Sequence, residues 1–296
     1  MSNRFLDLLA TGGPIVADGG MGTMLIAAGL QLGDSPELWN VLPERAATVQ
    51  SIHSAYVAAG SQIILTNSFG GNPSRLRHNA LDGRVYELNR AAATLARAAA
   101  GDSVVVGGSI GPTGELLEPP GTLAFAAAVA GFAGQARGLA DGGVDVLWIE
   151  TMADLAEVRA AIEAARQVAP HLPIVATLTF DTRGRTMMGV KPAQAMAELA
   201  EPGVAAAGAN CGNGPDEIVA VISAMRQADT TLPLVAKSNA GTPKFVDGTP
   251  TYRVTPEMMA AYAREVAAIG ATIIGACCGS TPAHIAAIAA ALRALP

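Results

Sequence analysis

The sequence predicts a single α/β domain, residues 1–296, built as one closed (β/α)8 TIM barrel. Three observations carry that prediction. Short apolar, often β-branched runs alternate eight times with helix-length segments, each unit being roughly 30 to 40 residues. The length of 296 residues suits one such barrel, which commonly takes about 250. No Ser- or Pro-rich linker divides the chain. A doubly wound open sheet would want a G-x-G-x-x-G turn followed by an acid about 20 residues on. Gly19-Gly20-Met21-Gly22 lacks that spacing.

In order, Pro14–Ala17 reads as the first strand, ending in Asp18-Gly19-Gly20-Met21-Gly22-Thr23. A helix over Glu44–Ala59 is closed by Gly60, whose freedom at positive φ suits a helix end. The second strand, Gln62–Thr66, leads into the loop Asn67–Asn72, and a helix follows over Gly83–Ala100. Val104–Val106 is the third strand, followed by Ser109-Ile110-Gly111-Pro112-Thr113-Gly114 and a helix over Leu123–Ala140. Strand four, Val144–Ile149, ends at Glu150, and helix four covers Ala153–Val168. Strand five is Pro173–Thr179, with a helix over Pro192–Ala200, and strand six ends at Cys211. A helix over Asp216–Gln227 leads to strand seven, Pro233–Ala236, and Lys237-Ser238-Asn239-Ala240-Gly241. Helix seven lies over Pro256–Ile269. The eighth strand is Ala271–Ile274, and Thr281-Pro282 starts the last helix with a hydroxyl cap and a proline at its first position.

Half of the residues are hydrophobic and only 15% are charged, so core material is ample. The net charge is −6 with no basic run, which argues against a nucleic-acid partner. Met1–Asp7 has no long apolar stretch, and the Ala/Gly-rich run Leu123–Gly134 is too short to cross a bilayer. The expectation is a soluble cytoplasmic protein without a membrane partner; a homo-oligomer is left open. In a reducing compartment three cysteines read as metal ligands or nucleophiles rather than a disulfide framework.

All three cysteines fall at the carboxyl ends of predicted strands, where this fold places its active sites. Cys277 and Cys278 sit in Gly275-Ala276-Cys277-Cys278-Gly279, and Cys211 in Gly208-Ala209-Asn210-Cys211-Gly212. One cysteine alone would read as inert core. Three at strand ends read as ligands of one Zn2+, and three protein ligands leave a fourth position open, as catalytic zinc requires. A coordinated thiol is deprotonated at neutral pH, which suits attack by sulfur on an electrophilic carbon. Asp18 and Glu150 are the acids assigned to a substrate ammonium group, and the amides of Gly19, Gly20 and Met21 form a candidate nest for its carboxylate. Glu150 follows the apolar Val146-Leu147-Trp148-Ile149, where a carboxylate needs a partner. Asp18 taken alone also fits an ordinary turn.

The chain resembles the zinc-dependent homocysteine S-methyltransferases over nearly its whole length. Asp18–Thr23, Thr66–Asn72, Gly111–Gly114, Gly208–Gly212 and Gly275–Gly279 carry the resemblance, and the paired cysteines with an upstream Asn-Cys-Gly are its most specific part. It implies zinc on Cys211, Cys277 and Cys278, homocysteine as methyl acceptor, and Asp18, Gly19, Gly20 and Glu150 at the amino-acid end. Asn67 stands at the same rim. Asn239 matches an asparagine that, in cobalamin-dependent relatives, occupies the fourth metal position before homocysteine arrives. Pro36–Asn40 and Arg185–Gly189 look most like bacterial betaine–homocysteine methyltransferases, which implies glycine betaine as the donor. S-methylmethionine, dimethylsulfoniopropionate and a methylated corrinoid protein are the alternatives. Animal-type betaine enzymes carry cage tyrosines directly after the positions of Phe69 and Glu150; this chain has Gly70 and Thr151, leaving Trp39 as the candidate aromatic wall. Two other readings compete. A Schiff-base aldolase would use Lys237 as nucleophile, and a non-catalytic barrel would use exposed low-pKa thiols to sense zinc or redox state. The first leaves the thiols without a task, the second leaves Asp18 and Glu150 without one.

Overall fold

The computed structural model describes residues 3–201, 203–229, 231–246 and 249–295. Its strands are β1 (Ile15–Val16), β2 (Ile63–Leu65), β3 (Val105–Ile110), β4 (Val146–Met152), β5 (Ile174–Leu178), β6 (Ala206–Cys211), β7 (Leu234–Ser238), β8 (Lys244–Val246), β9 (Thr249–Thr251) and β10 (Ala271–Ala276). Its helices are α1 (Arg4–Leu9), α2 (Met21–Ala27), α3 (Pro43–Ala58), α4 (Pro73–Leu76), α5 (Val85–Ala100), α6 (Phe125–Asp141), α7 (Leu155–Val168), α8 (Pro192–Ala200), α9 (Pro215–Ala228), α10 (Pro256–Ile269) and α11 (Pro282–Arg293).

Eight strands pair side by side in the order β1-β10-β7-β6-β5-β4-β3-β2, all in parallel. A parallel bridge between Ala17 and Ile63 joins the two ends of that row. The Asp18 amide donates to the Ile63 carbonyl at 3.0 Å and the Gln62 amide to Val16 at 2.7 Å. The expected TIM barrel is therefore present and closed.

Side chains alternate along a strand, so every second residue points into the barrel. Ile63 and Leu65, Val146 and Trp148, Val175, Val235 and Ile273 belong to one buried apolar cluster that fills the interior. Burying each such side chain contributes about 1.5–3 kcal/mol. Gly107 makes room for the Leu65 side chain: a Cβ there would lie 2.6 Å from Leu65 Cδ2. Toward the carboxyl ends the same inward positions become polar, with Asn67, Ser109, Glu150, Thr177, Asn210 and Lys237 all buried. The interior thus passes from an apolar plug to a polar floor beneath the catalytic end.

Several elements were not expected from the sequence. Asn3 caps α1 by accepting from the amides of Phe5 and Leu6, and Phe5 packs into the interior cluster, closing the amino end. α2 follows directly on Gly20, and the antiparallel pair β8–β9 stands beyond β7. Strand one is shorter than Pro14–Ala17 because Ala17 contributes only a bridge. The start of the last helix matches its prediction. Thr281 and His284 form a reciprocal capping box, with Pro282 in the first turn.

Candidate active site

Strand register brings the cysteines together. Cys211, the last residue of β6, pairs with Ser238 on β7, and Ser238 pairs with Ala276 on β10. One residue later comes Cys277. Two inter-strand steps therefore connect sulfurs that are 66 residues apart in sequence. Cys211 Sγ and Cys277 Sγ lie 2.9 Å apart, and all three sulfurs fall within 4.8 Å of one another. Cys211 sits in the left-handed region at φ 62°, next to Gly212 at φ 68°, as does Thr151 at φ 61° on β4. Non-glycine residues held there cost of order 1 kcal/mol or more, so the surrounding contacts must impose these turns.

Asn210 supplies several of those contacts. Its Oδ1 accepts from the Thr151 amide at 2.8 Å and from Thr177 Oγ1 at 2.7 Å. Its Nδ2 donates to Thr151 Oγ1 at 2.6 Å and reaches Cys211 Sγ at 3.5 Å. Asn239 ties the two cysteine loops to each other: Nδ2 donates to the Gly212 carbonyl at 2.6 Å, and Oδ1 accepts from the Cys278 amide at 3.0 Å. Both ends of that side chain are engaged by backbone, and it does not line the cleft. Gly20 lies against the other side of the paired cysteines, since a Cβ there would be 2.7 Å from the Cys277 carbonyl oxygen.

The three cysteines line a cleft of about 570 Å³, Cys278 from an exposed position. Asp18, Ser109, Glu150 and Lys237 line its buried floor, Glu37 lines it from another buried position, and Phe69, Arg75 and His78 line it from exposed ones. Glu150 is held by Ser109 Oγ at 2.5 Å on Oε1 and by Asn210 Nδ2 at 3.4 Å on Oε2. Burial pushes its carboxyl up to about 7, against the pull of the Lys237 ammonium. Asp18 is less available than expected. Its Oδ1 accepts from Lys237 Nζ at 2.7 Å and its Oδ2 from the Leu65 amide at 2.7 Å, so both oxygens are committed inside the protein. The Gly20 amide is also engaged, by Ser280 Oγ at 2.9 Å. Met21 and Gly22 begin α2, whose first turn has no side-chain cap, and both line the cleft.

The remaining expected residues divide. Asn67 lines the cleft and donates through Nδ2 to the Pro36 carbonyl at 2.8 Å and to Asn40 Oδ1 at 3.0 Å, fixing the segment that carries Glu37. Trp39 does not line the cleft. It is 6% exposed and packs under the Arg45 guanidinium, which lies 4.5 Å from its ring centre. Sequence reasoning missed Ser109 and Asn210 and gave Lys237 to a different chemistry. The signal was the strand period: each stands two residues beyond an inward apolar or glycine position.

The donor set fits a divalent thiophilic cation. Tetrahedral bonds of about 2.3 Å to sulfur set ligand sulfurs about 3.8 Å apart, which this trio meets with small side-chain adjustments. Without a metal the trio shares its protons unevenly: hydrogen bonds from Cys211 and Cys277 hold Cys278 well below the usual thiol range, while hydrogen bonds with Cys277 and Cys278, followed by burial, push Cys211 up.

A family model described as homocysteine S-methyltransferase matches residues 15–292. The chain belongs to that family. It is 32% identical to the methionine synthase of Mycobacterium tuberculosis and 31% identical to that of Mycobacterium leprae, in each case over 94% of this chain. The chain spans about a quarter of the length of these curated relatives, 24% of each. Among solved structures, the metallated form of the homocysteine methyltransferase MmuM from Escherichia coli superposes with a TM-score of 0.80 at 27% identity. That match covers 97% of this chain and 99% of MmuM. A methyltransferase from Methanosarcina mazei, at 13% identity and a TM-score of 0.59, shares the fold.

Proposed function

We propose that this protein transfers a methyl group from a small onium donor to the sulfur of homocysteine, giving methionine, with Zn2+ held by Cys211, Cys277 and Cys278. The observation that carries the reading is the convergence of three sulfurs within 4.8 Å in a cleft that Glu150 also lines. Bound there, the metal would keep a fourth sulfur as thiolate at neutral pH. The new bond joins that sulfur to the methyl carbon, and the bond broken returns its electron pair to the donor's nitrogen or sulfur.

The protein's own groups orient the acceptor. Glu150, fixed by Ser109 and Asn210, receives the homocysteine ammonium. The uncapped amides that begin α2 receive its carboxylate, with the Gly19-Gly20 turn shaping the approach. Asp18 acts at one remove, through Lys237. The buried floor holds Glu150 away from bulk water, which strengthens its charged contact.

The family resemblance favours glycine betaine as the donor. The cleft lining favours a sulfonium instead, S-methylmethionine or dimethylsulfoniopropionate. Quaternary ammonium groups prefer aromatic faces, and Phe69 is the one Phe, Tyr or Trp lining the cleft among the described residues. A methylated corrinoid protein is the remaining alternative. The test incubates purified, zinc-loaded protein with homocysteine and each donor separately and measures methionine. Methionine from one or more donors, lost on chelation and restored by zinc, is the expected result; none from any donor refutes the proposal.

A further inference from the structure

Lys237 is the one buried lysine or arginine among the described residues. It sits on β7 in the polar floor, lining the cleft, with its Nζ 2.7 Å from Asp18 Oδ1 and 5.9 Å from the centre of the Trp148 ring. On β6 the residue directly opposite it is Asn210, which contacts Cys211 Sγ; on β10 it is Gly275, two residues before Cys277. The ammonium is therefore enclosed by the strands that carry the sulfurs. It also lies in the field of Glu150 and of Cys277.

A buried ion pair has no intrinsic stability advantage over a well-packed apolar pair. A purely structural purpose does not account for a cation at this depth. Charge counting does. Three cysteine thiolates and an incoming homocysteine thiolate bring four negative charges against the two of a divalent cation. Asp18 and Glu150 add two more carboxyls on the same floor. Among the described residues, the only full positive charge buried there is on Lys237.

We propose that Lys237 is a positioning residue that supplies the counter-charge for the sulfur site, and that Asp18 serves to hold it in place. This rests on the zinc-thiolate reading above. It accounts for the commitment of both Asp18 oxygens to protein partners: the aspartate fixes the cation, and the cation acts on the sulfurs. A methionine at this position would fill a similar volume without the charge.

The test measures zinc affinity, by competition with a chromophoric chelator, together with the KM for homocysteine. Lys237→Met alone strands the Asp18 carboxylate as an unpaired buried charge, which destabilises the fold. The decisive pair is Asp18→Asn and the double variant Asp18→Asn/Lys237→Met, each checked by its melting transition. Asp18→Asn keeps the cation; the double variant removes the pair without leaving a lone buried charge. The expected result is that the double variant binds Zn2+ on the order of tenfold more weakly than Asp18→Asn and shows a raised homocysteine KM with a smaller change in kcat, as expected for one unit charge nearby at an effective dielectric of about 20. Equal zinc affinity and equal KM in the two variants would overturn the proposal. Because the decisive reading is metal affinity rather than turnover, it stays distinct from failure of the methyl-transfer proposal, which appears in the unsubstituted protein as no methionine from any donor.

Discussion

Replacing Glu150 by Gln probes the carboxylate at the centre of the site. In the metal-free protein this group titrates near 7, against an ordinary value of 4.5, chiefly because it is buried. Its proton is therefore bound more tightly in the native state than in the unfolded chain. The associated stability is fully present below pH 4.5 and is lost as pH rises through 7. A shift of that size corresponds to about 3 kcal/mol, at roughly 1.4 kcal/mol for each pH unit. That is a large share of a typical domain stability of about 5–15 kcal/mol. Glutamine keeps the shape and the acceptor for Ser109 but cannot ionise. The stability of the variant relative to the parent, from urea titrations of metal-free protein, is expected to improve by about 3 kcal/mol between pH 4.5 and pH 8. On the proposed role of Glu150 toward the homocysteine ammonium, the same substitution in the zinc-loaded protein removes a charge-assisted contact worth about 1.5–3 kcal/mol. The homocysteine KM is expected to rise about tenfold to a hundredfold. A stability difference that does not change with pH would refute the account of the buried carboxyl; an unchanged KM would refute its role toward the ammonium.

Cys211→Ala, Cys277→Ala and Cys278→Ala are each expected to abolish zinc retention, read as bound metal after gel filtration, together with turnover. His53 is fully buried with no partner on either ring nitrogen, and burial lowers it to about 4 from 6.5. Its neutral form stabilises the protein above pH 6.5, and about 3 kcal/mol is lost as pH falls toward 4, so His53→Leu is expected to flatten the acid limb of a pH-stability profile. Gly20→Ala presses a methyl against the Cys277 carbonyl and is expected to cost about 1–3 kcal/mol. It should also weaken zinc binding, measured by the same chelator competition.

The barrel was legible in the sequence because each strand is a compact apolar run closed by a turn residue, and because register in a parallel barrel leaves few choices once the strands are known. The meeting of the three cysteines was legible for a related reason: a strand end is the one part of this fold where a residue's position in sequence fixes its place on the rim. The polar floor was harder to read. Ser109, Asn210 and Lys237 follow their inward neighbours by two residues, but each sits among small or β-branched residues that look like loop. Their partners lie from 33 to 219 residues away. The place of Asp18 in the cleft lining follows from its strand end, but its pairing with Lys237 does not, since nothing local to either residue signals the other. Trp39 is a candidate wall in the sequence because aromatic faces suit onium groups, with loop packing the equal alternative; the segment Pro36–Asn40 turns it into packing beneath Arg45. α1 was passed over because a six-residue helix has little periodicity of its own, and its place is set by the socket that receives Phe5.

That small helix bears on stability rather than on the site. Phe5 stoppers the amino end of the barrel, while the sulfurs stand at the carboxyl ends of the strands. The apolar plug lies between the two, so truncating α1 would loosen the barrel from the side away from the cleft.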